Sequence, residues 1–156
     1  MSRHWKVSSA LLLGAIGLPL ISGSVLADDI EYGLWEMQDE TTIEMQGRTM
    51  NIPSDEPDRV CFSSRKQLLD TLMNPERDES QPDCEQTLLD NDGGHIAYTV
   101  SCKQGNVEMA GKTALNFDGD QMTGEVHMQG ENPNQGQVTF TSQLTGQRVG
   151  PCEEGQ

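Results

Sequence analysis

Val107-Glu-Met-Ala-Gly-Lys-Thr-Ala-Leu-Asn-Phe117 runs through Asp118-Gly119-Asp120 into Gln121-Met-Thr-Gly-Glu-Val-His-Met-Gln129. In the first segment Val107, Met109, Thr113, Leu115 and Phe117 are in phase at every second position. In the second, Met122, Val126 and Met128 are in phase, with Thr123, Glu125 and His127 between them. A period of two marks half-buried β-strands, because successive side chains point to opposite faces of a sheet. Asp118-Gly119 has the residues of a tight two-residue hairpin turn. The stretch therefore reads as an antiparallel hairpin, and it sets the class of the chain as mainly β.

The same period extends outward. From Gly33, the residues Trp35, Met37, Thr41, Ile43 and Met45 share one face, which predicts one or two strands. Gly47 to Asp58, with Pro53 and Pro57, reads as a polar loop, and a short strand follows over Arg59 to Phe62. One helix is expected around residues 64–73. Ser64 is placed to cap it with Gln67 as reciprocal partner, Leu68, Leu69, Leu72 and Met73 form its apolar face, and Pro75 ends it. Residues 74 to 83 form an acidic loop. Cys84 to Leu89 and Ile96 to Cys102 flank a turn at Asp90-Asn91-Asp92-Gly93-Gly94, and Gln137 to Thr145 makes the last strand. The expected fold is a curled antiparallel β-meander of about six to seven strands, a half-barrel or small barrel, with one short α-helix.

The N-terminus supplies an address. Arg3 and Lys6 precede the apolar run Ala10 to Ile21, and Val25-Leu26-Ala27 has the small-residue pattern of a signal-peptidase site. Residues 1–27 thus read as a cleavable secretory signal peptide and 28–156 as a single domain, with no transmembrane segment after cleavage. The predicted mature chain has 8 Lys and Arg against 25 Asp and Glu, a net charge of −17. That charge disfavours nucleic acid and anionic lipid as partners, since both present more negative charge. The expected location is the periplasm of a Gram-negative bacterium.

All four cysteines, Cys61, Cys84, Cys102 and Cys152, lie beyond the signal peptide. An even count in a small exported domain reads as two disulfides, and no pair has the close spacing of zinc ligands. Cys84 and Cys102 are equidistant from Gly93 at the hairpin tip. A three-residue turn at Asp92-Gly93-Gly94 would oppose Leu88 with Tyr98, Gln86 with Val100 and Cys84 with Cys102. The predicted bonds are therefore Cys84–Cys102 and, by remainder, Cys61–Cys152. Loop-closure entropy assigns about 3 kcal/mol to the short loop and about 4–5 kcal/mol to the long one.

Candidate chemistry is sparse. No serine sits in a Gly-x-Ser-x-Gly elbow, and His95 and His127 read as surface residues. With so many acids, no carboxylate pair stands out for hydrolysis. Asp90-Asn91-Asp92-Gly93 starts like a calcium loop but places His95 and Ser101 where the EF-hand needs Gly and Glu. Met122, Met128 and His127 form the nearest copper-like set, yet the histidine falls in the opposite phase to the methionines. No cofactor is implied. A curled sheet with a helix across it can instead enclose an apolar space lined by methionines.

Gly33-Leu34-Trp35-Glu36, Arg59-Val60-Cys61, Asp83-Cys84, Ser101-Cys102 and Gly146-Gln147-Arg148-Val149-Gly150-Pro151-Cys152 form an ordered set. The set resembles a family of exported bacterial proteins described as a domain of unknown function, with an N-terminal Gly-x-Trp-Glu and a C-terminal Gly-x-Arg-x-Gly-x-Cys segment. That resemblance implies a periplasmic address and no assigned activity. More loosely, the chain is similar to lipocalins, in which an Arg near the C-terminus covers the Trp of a Gly-x-Trp; by analogy Trp35 and Arg148 would form a cation–π closure. The expected role is non-enzymatic: binding a small apolar ligand, or serving as an envelope accessory or interaction module. Copper or calcium binding, and hydrolysis by surface carboxylates, are the alternatives. Non-reducing peptide mapping should recover Cys84 linked to Cys102 and Cys61 linked to Cys152; a Cys61–Cys84 peptide would refute the pairing.

Overall fold

Strand alternation organises nearly the whole of the computed structural model, which describes residues 29–53, 56–75, 82–134 and 136–152. The expected signal peptide and its cleavage site lie outside these residues. The elements are β1 (Gly33–Met45), β2 (Arg48–Pro53), β3 (Asp58–Phe62), α1 (Arg65–Met73), β4 (Asp83–Asp92), β5 (His95–Gln104), β6 (Val107–Asp118), β7 (Gln121–Asn132) and β8 (Gly136–Gly150). They form one antiparallel sheet in the order β2-β1-β8-β7-β6-β5-β4, with β3 also paired to β1.

The last five strands are the expected meander, and β1 adds to β8. Beyond β1, β3 pairs with Gly33–Met37 and β2 pairs with Glu40–Met45, so two strands occupy one lane in succession. Eight strands therefore fill seven lanes. The two sides of the sheet, β4 and the β2/β3 lane, do not pair with each other, so it is an open sheet and not a closed barrel. Helix α1 touches both β3 and β4 and bridges the two sides at one end.

Two local expectations are corrected. Gly47 to Asp58 is not all loop: Gln46 and Gly47 both have positive φ (53° and 72°) and turn the chain straight into β2. That is the conformation of a type I′ hairpin turn, whose usual Asn-Gly or Asp-Gly signal is absent here. The β4–β5 turn has two residues, not three, since Asp92 pairs with His95. A bulge between Leu88 and Asp90 absorbs the odd residue, so Leu88–Tyr98, Gln86–Val100 and Cys84–Cys102 still face each other as expected. Both expected cysteine pairs lie at disulfide distance, with Cα separations of 3.9 Å for Cys84–Cys102 and 5.5 Å for Cys61–Cys152.

Packing at the helix end is dense. Trp35, Phe62, Leu68, Ile96, Phe117 and Met122 are buried there, and Trp35 meets Phe117 edge-on at 5.5 Å between ring centres. Gly146 makes room for this core: the Met37 sulfur lies 2.7 Å from where a β-carbon would stand. Ser64 caps α1 by accepting from the Gln67 amide at 3.2 Å. The Gln67 side chain reaches back one residue further than expected, accepting from the Ser63 amide at 2.7 Å. Arg65 ties the helix to the β4–β5 turn by donating to Asn91 Oδ1 and, at 2.7 Å, to the Gly93 carbonyl. Leu68 is the helix residue buried outright. Leu68→Ala should cost about 2–5 kcal/mol, read as a lower urea midpoint with an unchanged m-value.

Candidate functional site

The registers align the inner-face residues into rungs that cross the sheet. One rung runs Ile52, Thr41, Ser142, Val126, Thr113, Tyr98 and Leu88. The next, away from the helix, runs Met50, Ile43, Phe140, Met128, Gly111 and Val100. The last holds Met45, Val138, Gly130, Met109, Cys102 and Cys84. The helix-covered core lies on one side of the first rung and these two apolar rungs on the other.

Among the described residues, no element covers the apolar rungs as α1 covers the core. Phe140, Met128, Met109 and Val107 are half-buried, and with Pro82 and Cys102 they line an apolar hollow of about 270 Å³. Met50 and Ile52 at the β2 side are 46% and 50% exposed, large values for apolar residues on a sheet's inner face. The hollow lies just below the usual range for small-molecule pockets, about 300–1,000 Å³. A larger depression of about 500 Å³ beside α1 is lined by polar groups including Arg59, Gln67, Asp70 and Asn74. Its lining does not suit an apolar ligand.

In the first rung Thr41, Ser142, Thr113 and Tyr98 carry hydroxyls. Thr41 and Ser142 are 7% and 3% exposed, and their hydroxyls lie 3.0 Å apart. Thr41 Oγ1 also lies 2.9 Å from Asp39 Oδ2, and Ser142 Oγ lies 3.4 Å from the same oxygen. Further along, Tyr98 hydrogen-bonds Thr113, and burial pushes the phenol above its ordinary pKa more than this bond lowers it. A polar belt thus separates the filled core from the open apolar half. Pattern reading passed over Asp39, although it sits in the inward phase of β1 between Met37 and Thr41.

The residues singled out from sequence fall in three places. Trp35 is fully buried at the helix end, and its indole N–H donates to the Glu31 carbonyl at 3.1 Å. Arg148 pairs with Trp35 across β1 and β8, its Nε donates to the Tyr32 carbonyl at 2.7 Å, and its guanidinium lies over Gly33. Trp35 and Arg148 therefore clamp the entry segment onto the core, and any β-carbon at Gly33 would collide with Arg148. His95 is half-buried and bonded to Asn116, and His127 is exposed and bonded to Gln129 and Thr141. Met122 is buried in the core, away from His127 on the outer face, so the copper-like set is not brought together. Asp90 Oδ1 accepts from the Asn91 amide, and Asn91 accepts from Arg65, so these turn residues serve the turn itself. Lys103 holds the exposed Glu108 carboxyl below its ordinary value through a 2.8 Å ion pair. No group of three His, Cys, Asp or Glu among the described residues could hold a metal ion, and no described helix is long and apolar enough to cross a membrane.

The fold and this half-covered face define a small open-sheet β domain with a helix-filled core at one end. The chain belongs to the DUF3617 family, described as proteins of unknown function, which matches residues 30–152. No curated protein and no solved structure matches it significantly. Tyr98 provides a test of the belt's burial. Because its folded pKa lies above the unfolded value of 10.0, its contribution to stability is complete below pH 10 and is lost as pH rises through the folded pKa. Thermal scans should show a steeper loss of stability above pH 10 in the parent than in Tyr98→Phe.

Proposed function

We propose that this is an exported envelope protein whose domain binds an apolar small molecule in the open half of the sheet's inner face, without catalysis. The observation that carries this reading is the half-buried hollow of Cys102, Val107, Met109, Met128 and Phe140. A β domain that needed this face only for stability would cover it, since exposed apolar area is unfavourable by about 25 cal/mol per Å². Methionine suits such a surface because its flexible thioether adapts to ligands of different shape. The signal-like N-terminus and the two cysteine pairs at disulfide distance support export to the periplasm.

Phe140→Asp places a charge in the hollow at a half-buried position outside the helix-end core. The parent should enhance the fluorescence of a neutral naphthylamine dye saturably. Phe140→Asp should abolish that enhancement while keeping the near-ultraviolet signature of buried Trp35. Equal enhancement by parent and variant would count decisively against the hollow as a binding site.

A further inference from the structure

The hollow is apolar, but the belt at its inner end is not neutral. Asp39 lies on the inner face of β1, and both hydroxyls near it, those of Thr41 and Ser142, approach the same oxygen, Oδ2. With one proton on each hydroxyl, and Thr41 and Ser142 also bonded to each other, Asp39 keeps most of its acceptor capacity. No cationic side chain pairs with it among the described residues. Among the basic groups, Arg59 pairs with Glu36, Lys103 with Glu108 and Arg148 with Glu31, and Arg65 serves the β4–β5 turn. Asp39 is half-buried, so an incoming cation would meet its carboxylate without a competing protein cation among the described residues.

Distance connects this group to the hollow. Ser142 and Phe140 are alternate residues on one face of β8, about 6.6–7 Å apart along the strand. Phe140 lines the hollow, and Met128, its partner on β7, lines it too. Asp39 pairs with Leu144, one rung further toward the helix, so a ligand with its tail among Met109, Met128 and Phe140 needs to extend by two rungs, past Ser142, to meet it.

We propose that the ligand is an amphiphile with a protonated amine, its tail in the hollow and its ammonium group on Asp39, with the Thr41 and Ser142 hydroxyls as supporting contacts. Asp39 is then the residue that sets specificity: it attracts an alkylamine, accepts a hydrogen bond from a neutral alcohol and repels a fatty acid. This inference rests on the hollow being a binding site, and the test separates the two.

Dodecylamine, dodecanol and dodecanoate would be compared as competitors of the neutral naphthylamine dye. Salt of about 0.5 M would screen the overall negative charge of the protein, since it shortens the Debye length to a few ångströms. The amine should displace the dye at least about tenfold better than the acid, a difference of about 1.4 kcal/mol. Asp39→Asn should bring that ratio to within about twofold while leaving dodecanol competition unchanged. Glu125→Gln, on the exposed outer face of β7, should leave the ratio intact. Equal displacement by all three ligands in the parent, or a preference that survives Asp39→Asn, would overturn the assignment of Asp39 while sparing the hollow. Failure of both dye and dodecanol to bind would overturn the hollow itself, and this inference with it.

Discussion

One helix has to cover a sheet much larger than itself. At about 1.5 Å per residue, the nine residues of α1 reach about 13 Å. At about 3.3 Å per residue, the strands of 12 to 15 residues in β6, β7 and β8 reach about 40–50 Å. Burial is therefore unequal along the same strands. Leu115, Phe117 and Met122 are sealed beneath the helix end, whereas Met109 and Met128, on the same two strands, remain half-buried, as does Phe140 on β8. The core, the belt and the hollow all follow from this mismatch in length.

The belt sits where that change occurs. Thr41, Thr113 and Ser142 are buried, yet each occupies a position where a fully apolar trough would carry valine or leucine. Hydroxyls that satisfy one another cost little at such a boundary, because each buried polar atom keeps a partner. They also keep the filled core from running on into the open half. At the other end, Gly33, Trp35 and Arg148 hold the entry segment against the core, a local explanation for the Gly-x-Trp and the distant arginine.

Much of this was legible in the sequence because β-structure writes a period of two. The inward phases of β1, β6 and β7 could be read directly, as could the facing of Cys84 and Cys102 across a hairpin. The helix was legible from Ser64, its leucines and Pro75. Strand β2 was obscured because Gln46-Gly47 is a weak turn signal and Pro53 and Pro57 suggested a loop. The belt was hidden for another reason. Asp39 and Ser142 are 103 positions apart, and only the pairing of the first strand with the last brings them together. A phase can be read along one strand, but a rung requires the strand order.

The bulge between Leu88 and Asp90 first appears as a repair of register, making an even-length turn compatible with the observed strand pairs. Its position on β4 has a wider consequence. β4 is an outer strand whose unpaired edge could template addition of another chain, and Leu88 and Leu89 are exposed there at 41% and 54%. A bulge interrupts the regular spacing of that edge, and Asp83, Glu85, Asp90 and Asp92 give it a single sign of charge. Two copies approaching edge to edge would meet mismatched amides and mutual repulsion. The same irregularity that aligns the cysteines thus disfavours pairing along that edge.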